Sequence, residues 1–487
     1  MPFSRCLHCC LPFFLAGLLP SILPAAESRP NVLFIAIDDL NDWTGFLGGH
    51  PDVKTPHMDR LAAQGVSFGN AHCQAPICMP SRASLLTGTY PHRNGIYVIE
   101  QNYHDAPLLK EAVTLPQHFK SNGYRTLGCG KIYHRANDHL DGRDWDAYQP
   151  GKGWMWLKEI VGPKGVSGLP DPSIFDFGPV NVEPSQMGDW EVTDWAIERL
   201  REKQDAPFFL AVGLITPHLP HYTPQSFFEA YPEDQISLPN ILAGDLDDLP
   251  PMGRKFTRYF DSTPMSHHNI TRHGLWHKAV ASYLACATFT DTCVGRLLGA
   301  LEESPYADNT IIVLWSDHGF HLGEKMHWEK RSLWERSTRV PLVFAGPGIT
   351  ARGRTCARPV GLIDIYPTLI DLCHLPKPNS DQLQGHSLTP LLSDPDAKWN
   401  HPVLTTHHPG NHAIRTERWR YIRYANGDEE LYDHDSDPNE FYNLAKSKAH
   451  TEIIQELRTA LPPSCADYAP RLPRQKFTQE FDWFSPD

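Results

Sequence analysis

Positive charge is scarce in this chain: 44 lysines and arginines face 57 aspartates and glutamates, a formal net charge of −13. That deficit argues against a general nucleic-acid binder, because gripping phosphates by counterion release needs clustered cations. It leaves an anionic substrate open, since a few local cations can outweigh the global sign. Cysteine is also sparse. Of 11, only Cys73, Cys78, Cys129, Cys286, Cys293, Cys356, Cys373 and Cys465 lie beyond residue 26, too few for a disulfide scaffold and with no pairing that spacing can assign. Internal repeats and low-complexity tracts are absent, and past the first 26 residues no stretch is expected to be long and apolar enough to span a membrane. With 41% hydrophobic and 21% charged residues over 487 positions, collagenous, coiled-coil and wholly disordered chains are excluded. The 44 prolines and 34 glycines imply many loops, and the 26 histidines inform only through their placement.

Arg5, the apolar stretch from Leu11 to Leu23 and then Pro24-Ala25-Ala26-Glu27 predict a signal peptide over residues 1–26, cleaved after Ala26. An N-terminal membrane anchor is the alternative, disfavoured because the run is shorter than the ~20 residues a span needs. The expected destination is a periplasmic, extracellular or lysosome-like compartment. Residues 27–395 then form the catalytic domain and 396–487 a smaller C-terminal subdomain.

Several short apolar runs stop abruptly at polar residues. Val32–Ile37 ends in Asp38-Asp39, Ile311–Trp315 in Ser316-Asp317-His318, Phe208–Ile215 in Thr216-Pro217-His218, and Thr126–Cys129 leads to Gly130-Lys131 and on to His134. Runs without alternation are what strands buried on both faces look like, so a mainly parallel sheet covered by helices is expected. Helices are predicted from Thr55-Pro56 to Gly65, from Thr114 to Gly123 and over 278–303. Such sheets bind ligands beyond their strands' carboxyl ends. Any one of these aspartates could simply cap a turn, but four runs that end alike point to one shared site. Beyond residue 395, Ala413–Arg415, Trp419–Tyr424 and Glu430–Asp433 read as antiparallel strands and 449–460 as a closing helix.

The segment Cys78-Met79-Pro80-Ser81-Arg82 carries the most chemical information. Pro80 suits a helix's first turn, and Arg82 falls one turn beyond Cys78. A cysteine at a helix N-terminus beside an arginine has a depressed thiol pKa and favours anions. A buried cysteine with a surface arginine is the bland alternative. The pattern Cys-x-Pro-Ser-Arg resembles the modification signature of the type I sulfatases, in which the cysteine is oxidised to formylglycine. Further likeness lies in Arg29-Pro30-Asn31-Val32 leading to Asp38-Asp39, in Trp315-Ser316-Asp317-His318-Gly319, in Gly361–Leu369, and from Leu431 to Leu444. Gly130-Lys131-Ile132-Tyr133-His134, Thr216-Pro217-His218-Leu219-Pro220 and the histidine at 318 are most similar to the iduronate-2-sulfatase branch.

That resemblance implies an alkaline-phosphatase-like α/β fold: a large mixed, mostly parallel sheet sandwiched by helices, plus a C-terminal α+β subdomain with a short antiparallel sheet. It implies a sulfuric ester hydrolase with a formylglycine nucleophile derived from Cys78 and one Ca2+ per chain, held by Asp38, Asp39, Asp317, His318 and the modified Cys78. Hard oxygen ligands suit such a cation. Arg82 and Lys131 would hold the nucleophile and balance charge, and Lys330 would contact the sulfate. His218 would protonate the leaving oxygen and His134 would take a proton from the second hydroxyl, which releases sulfate. The implied partners are a sulfated saccharide, in particular one carrying a 2-O-sulfated uronate, and a formylglycine-generating enzyme. The remaining alternatives are a formylglycine-dependent phosphonate or phosphate ester hydrolase, a two-zinc phosphatase, and an inactive carbohydrate-binding relative. The two-zinc reading is weakened because the only Asp-x-x-x-His, Asp317 to His321, reuses Asp317. A carboxylated sugar would need a further cation. Arg254, Lys255 and Arg258 are candidates, although a solvated loop face explains them better.

Overall fold

Met1 aside, the computed structural model describes residues 29–471, except 102, 136–141, 154, 259–260, 262 and 379–381. The expected signal peptide falls outside the described residues.

Eight strands build the central sheet: β1 (Asn31–Ile37), β2 (Val66–Phe68), β3 (Arg125–Gly130), β4 (Ala147–Gln149), β5 (Phe208–Leu214), β6 (Thr310–Ser316), β7 (Leu342–Ala345) and β8 (Arg354–Cys356). Their order is β8-β2-β7-β6-β1-β5-β3-β4. All run parallel except β7, which is antiparallel to both β2 and β6. Every residue of β1 and β5 is buried, as unbroken apolar runs require of strands covered on both faces. One face packs Phe34, Phe209, Trp315 and Phe344 under the helix Cys78–Thr87; the other packs Leu33, Ile35, Leu210 and Val212 against Gly188–Arg201 and Trp276–Glu302.

The predicted helices appear at Pro56–Gln64, Leu115–Ser121 and Trp276–Glu302. Thr114 closes a full capping box with Gln117 at the second of these. Among the described residues, Trp276–Glu302 is long and apolar enough to cross a membrane, contrary to the expectation that no stretch past the leader would be. It serves as a core helix: 72% of its apolar window is buried in the fold, and a helix enclosed on most sides is apolar all round just as a span is.

The C-terminal strands form a four-stranded antiparallel meander, Val403–Thr406, His412–Arg415, Trp419–Arg423 and Glu429–Asp433, followed by the helix Thr451–Arg458. The first of these strands carried no turn signal and was not expected. The meander seats on Leu333 and Trp334 through Ala413, Ile422, Tyr424 and Tyr432.

Candidate active site

The carboxyl ends of β1, β6, β5 and β3 lie side by side, so Asp38-Asp39, Asp317-His318, His218 and Lys131 converge on one edge of the sheet. Two glycines permit the tightest contact. Gly130 and Gly213 are register partners, a Cβ on Gly130 would meet Gly213 O at 1.9 Å, and one on Gly213 would sit 2.3 Å from the Lys131 backbone. Lys131 N thereby donates to Gly213 O at 2.9 Å. Asp39 adopts φ 63°, a conformation that costs a non-glycine residue about 1 kcal/mol or more and persists where surroundings hold it. Here Asp39 N donates to Asp317 Oδ1 at 3.1 Å and the Tyr283 hydroxyl donates to Asp39 O at 2.7 Å.

Cys78 is the first residue of its helix, with Ile77 extended before it. The helix puts Arg82 one turn further in, where its Nε donates to Asp317 Oδ2 at 2.8 Å and its Nη2 lies 3.4 Å from Asp38 Oδ1. The guanidinium also donates to Lys131 O and, at 3.0 Å, to Ile132 O. Around Cys78 Sγ stand His318 Nε2 at 3.2 Å, Lys330 Nζ at 3.4 Å and Lys131 Nζ at 3.8 Å. Lys330 also donates to Asp39 Oδ1 at 2.6 Å, and Lys131 to Asp38 Oδ2. His134 lines the same pocket as Cys78. His218 places its Nδ1 2.6 Å from Leu219 O, so Nδ1 carries hydrogen and Nε2 is left for the pocket. Asp189 braces that segment by accepting from Ile215 N and Thr216 N at 2.9 and 2.7 Å.

Electrostatics follow from this crowding. Burial alone would raise the Cys78 thiol, yet Lys131, Lys330 and His318 bring it well below its ordinary value. Burial also opposes ionisation of Asp38, as does Cys78, but Lys131, His218 and Arg82 prevail and lower it. Asp317 is pushed up to about 7 by burial, with Arg82 opposing. His318 rises to about 9 against burial, through Asp317 and Cys78. His218 is raised despite burial, chiefly by Asp39, whereas burial lowers His134.

Donor atoms of Asp38, Asp39, Cys78 and His318 all lie within 4.8 Å of one another, a group that could hold a metal ion. His318 Nδ1 is 3.0 Å from Gly319 O, which turns Nε2 toward the group. Asp39 Oδ2 is buried with no hydrogen-bond partner, an acceptor left for a cation. Asp317 stands beside this group, its two oxygens engaged by Asp39 N and Arg82 Nε.

Cys78, Lys131, His134, His218, Asp39 and Lys330 line one pocket of about 470 Å³. The same walls include Arg135, Lys152, Glu329 and Arg331, which sequence reasoning did not single out. Glu329 and Arg331 adjoin Lys330 in the chain, but strand alternation would turn neighbours to opposite faces. Positive φ at both, 67° and 74°, brings all three to one pocket. By contrast, Arg254, Lys255 and Arg258 do not line it; Arg254 caps its own helix region by donating to Leu249 O at 3.2 Å and Asp247 O at 2.6 Å. His321 and His327 support rather than face the site: His327 Nε2 lies 2.8 Å from Lys330 O and His321 Nε2 3.0 Å from Ser332 Oγ.

Comparison with known proteins agrees with this geometry. The model of the family described as Sulfatase matches residues 30–375, and one described as N-sulphoglucosamine sulphohydrolase, C-terminal, matches 323–465. A sulfatase of Formosa agariphila is 38% identical over 454 residues, covering 90% of this chain and 88% of its own. Mouse iduronate 2-sulfatase is 30% identical, covering 89% and 94%. A phosphonate monoester hydrolase from Silicibacter pomeroyi superposes with a TM-score of 0.73 at 24% identity, over 88% of this chain and 94% of that one; at that identity the likeness is one of fold. A match across the whole catalytic sheet, with a cysteine, arginine and carboxylates gathered at its edge, places the chain in the sulfatase family as a sulfuric ester hydrolase.

Proposed function

We propose that this protein hydrolyses the sulfate ester of a sulfated carbohydrate, in particular a 2-O-sulfated uronate, using formylglycine made from Cys78 and one bound Ca2+. The observation that carries the proposal is the convergence on Cys78 Sγ of His318, Lys330 and Lys131 within 3.8 Å, beside the carboxylates of Asp38 and Asp39. The 2-O-uronate preference is supported by the likeness to iduronate 2-sulfatase.

Asp38, Asp39, Asp317 and His318 would hold the cation together with the group at position 78. When bound, the cation polarises sulfate oxygens and the attacking hydroxyl. Converted and hydrated, position 78 supplies two hydroxyls, one to attack sulfur and one through which sulfate is later expelled. Lys330 and Lys131 neutralise sulfate charge that would otherwise repel a nucleophile. Arg82, wholly buried and bonded to Asp317 and to the Lys131 and Ile132 carbonyls, fixes these groups in place. His218, raised by Asp39 and with Nε2 toward the pocket, gives its proton to the sugar oxygen as the sulfur–oxygen bond breaks. His134, held largely neutral by burial, accepts the proton from the second hydroxyl.

The chain would be exported, and would need a formylglycine-generating enzyme for maturation. The test is mass spectrometry across Cys78 in protein co-produced with such an enzyme, paired with sulfate release from an aryl sulfate and a 2-O-sulfated uronide. Conversion with uronide turnover is expected. An unmodified thiol in a competent host would overturn the mechanism, and faster cleavage of a phosphonate monoester than of either sulfate would overturn the activity.

A further inference from the structure

Among the described residues two carboxyls line the pocket, those of Asp39 and Glu329. Asp39 has its work: Oδ1 accepts from Lys330 Nζ at 2.6 Å and Oδ2 is the acceptor left for a cation. Glu329 has none in the reaction derived so far. It is 5% exposed, and among the described residues no hydrogen bond or ion pair ends on its carboxyl. A buried polar group without a protein partner calls for an explanation, and the surroundings sharpen the question. Lys131, Lys330, His134 and His218 make the pocket a site for an anion; a carboxyl among them opposes sulfate binding unless a bond to the substrate offsets that.

The placement of Glu329 is fixed from both sides. Trp328 is 1% exposed in the core and its Nε1 donates to His267 Nδ1 at 3.2 Å. Lys330 Nζ reaches Asp39 and, at 3.4 Å, Cys78 Sγ. Between them Glu329 pairs with His321 across a two-residue antiparallel ladder at φ 67°, a left-handed conformation that a glutamate holds only where its surroundings impose it. The outcome is a carboxyl on the pocket wall one residue from the lysine that meets the sulfate.

Chemistry narrows what such a group can bind. A second anion of the substrate would be repelled by a carboxylate, whereas in either protonation state a carboxyl keeps lone pairs for an O–H donor. A glycoside sulfated at O2 has one hydroxyl vicinal to the sulfate, on C3, because C1 carries the glycosidic oxygen. That hydroxyl is the donor the sugar brings nearest to a group beside Lys330. We propose that Glu329 accepts a hydrogen bond from the C3 hydroxyl of a 2-O-sulfated sugar and so selects for a free hydroxyl next to the sulfate that is cleaved.

The inference rests on the 2-O-uronate reading above, and the experiment separates their failures. Formylglycine-bearing protein is assayed on a 2-O-sulfated uronide, on its 3-deoxy counterpart and on an aryl sulfate. The unaltered protein is expected to favour the hydroxyl-bearing uronide over the deoxy one in kcat/KM by about tenfold to a hundredfold, the worth of a hydrogen bond to a charged group that the analogue cannot make. In Glu329→Ala that preference falls by about tenfold or more, mostly through a higher KM for the hydroxyl-bearing sugar. Glu329→Gln, which keeps an uncharged acceptor, retains part of it.

An unaltered protein that turns over both uronides alike would overturn this role of Glu329 while the sulfatase reading stands. A preference that persists undiminished in Glu329→Ala, whatever the loss common to both sugars, would make Glu329 a support for Lys330 or His218 and overturn it likewise. Turnover of the aryl sulfate with neither uronide cleaved would instead remove the uronate reading and this inference with it. Should Glu329→Ala fail to fold, the nearly isosteric Glu329→Gln decides by the same ratio.

Discussion

His218 and Lys330 reach the sulfate site from different strands, and their chemistry separates by leaving group. A sugar alkoxide needs a proton as it departs, whereas an activated aryl oxide does not. His218→Ala is therefore expected to lower kcat/KM for a sugar sulfate by about 10²–10⁴-fold, the usual worth of general acid catalysis, and to spare a nitrophenyl sulfate far more. Equal losses on the two substrates, measured side by side, would deny His218 the acid role. The proposed cation makes a second residue-scale prediction. With Asp39 Oδ2 buried and unpartnered among oxygen donors, a strong Ca2+ chelator should abolish turnover and raise the susceptibility of the site to unfolding, and Ca2+ should restore both; a melt and an assay insensitive to the chelator would remove the metal. A third concerns His221, which is fully buried between Tyr283 and Phe320, each ring 5.3 Å away, with neither nitrogen hydrogen-bonded. Burial, then His218 and Lys330, depress it to about 3 from 6.5. A depressed histidine gives stability that is present above 6.5 and lost as pH falls toward the folded value. His221→Phe removes that proton sink, so its stability relative to the unaltered protein should rise by about 1.4 kcal/mol per pH unit below 6.5. Denaturant midpoints at pH 7 and 5 that shift in parallel would show the ring is not buried neutral.

Strand ends are the elements that make this site, and they are also what the sequence displays best. Val32–Ile37 and Ile311–Trp315 are apolar without alternation because both faces of β1 and β6 are covered, and the polar residues that end them fall where the strands meet the buried base of the pocket. Hence Asp38, Asp39, Asp317, His318, Lys131 and His218 could be gathered into one site before any geometry was known. A mixed sheet was expected from the resemblance, but not that β7 is its reversed strand, since a run such as Leu342–Ala345 reads the same in either direction. Nor could Glu329 and Arg331 be placed, because their orientation depends on backbone angles that alternation does not encode. The close approach of β3 and β5 is a further element-scale feature. Gly213→Ala would set a methyl 2.3 Å from the Lys131 backbone, and overpacking of this kind costs about 1–3 kcal/mol. Because the strain falls on Lys131, kcat should drop along with the melting temperature. A variant that melts lower yet keeps full kcat would show that Lys131 does not depend on this contact.

Across the whole molecule, the C-terminal sheet is joined to the active-site segment by charge as well as by the apolar seat on Leu333 and Trp334. Glu335, in the short helix after Lys330, is held by Arg415 Nε at 3.1 Å and by Arg420, which also donates to Leu333 O at 2.9 Å and Thr338 Oγ1 at 3.0 Å. Glu440 accepts from Glu335 N at 2.8 Å, and its Oε1 lies 3.1 Å from His434 Nε2. Glu335, His434 and Glu440 have the spacing of a metal site, but two guanidiniums already neutralise the carboxylates, so this is an ionic joint between the parts of the molecule. Breaking a buried pair from one side strands the other charge and costs about 3–5 kcal/mol. Glu335→Gln keeps the shape but leaves Arg415 without its carboxylate and Arg420 with Glu440 alone, so the unfolding free energy from a denaturant titration should fall by about that amount near neutral pH. The sign with pH follows from the carboxyl: burial raises it, but Arg415, His434 and Arg420 bring it well below 4.5. Its contribution is thus complete above 4.5 and lost as pH falls through the depressed value, and the gap between Glu335→Gln and the unaltered protein should close only in that acid range. A gap that closes already between pH 7 and 5 would show that the arginines do not hold Glu335 ionised, and an absent gap would leave the apolar seat as what holds the sheet in place.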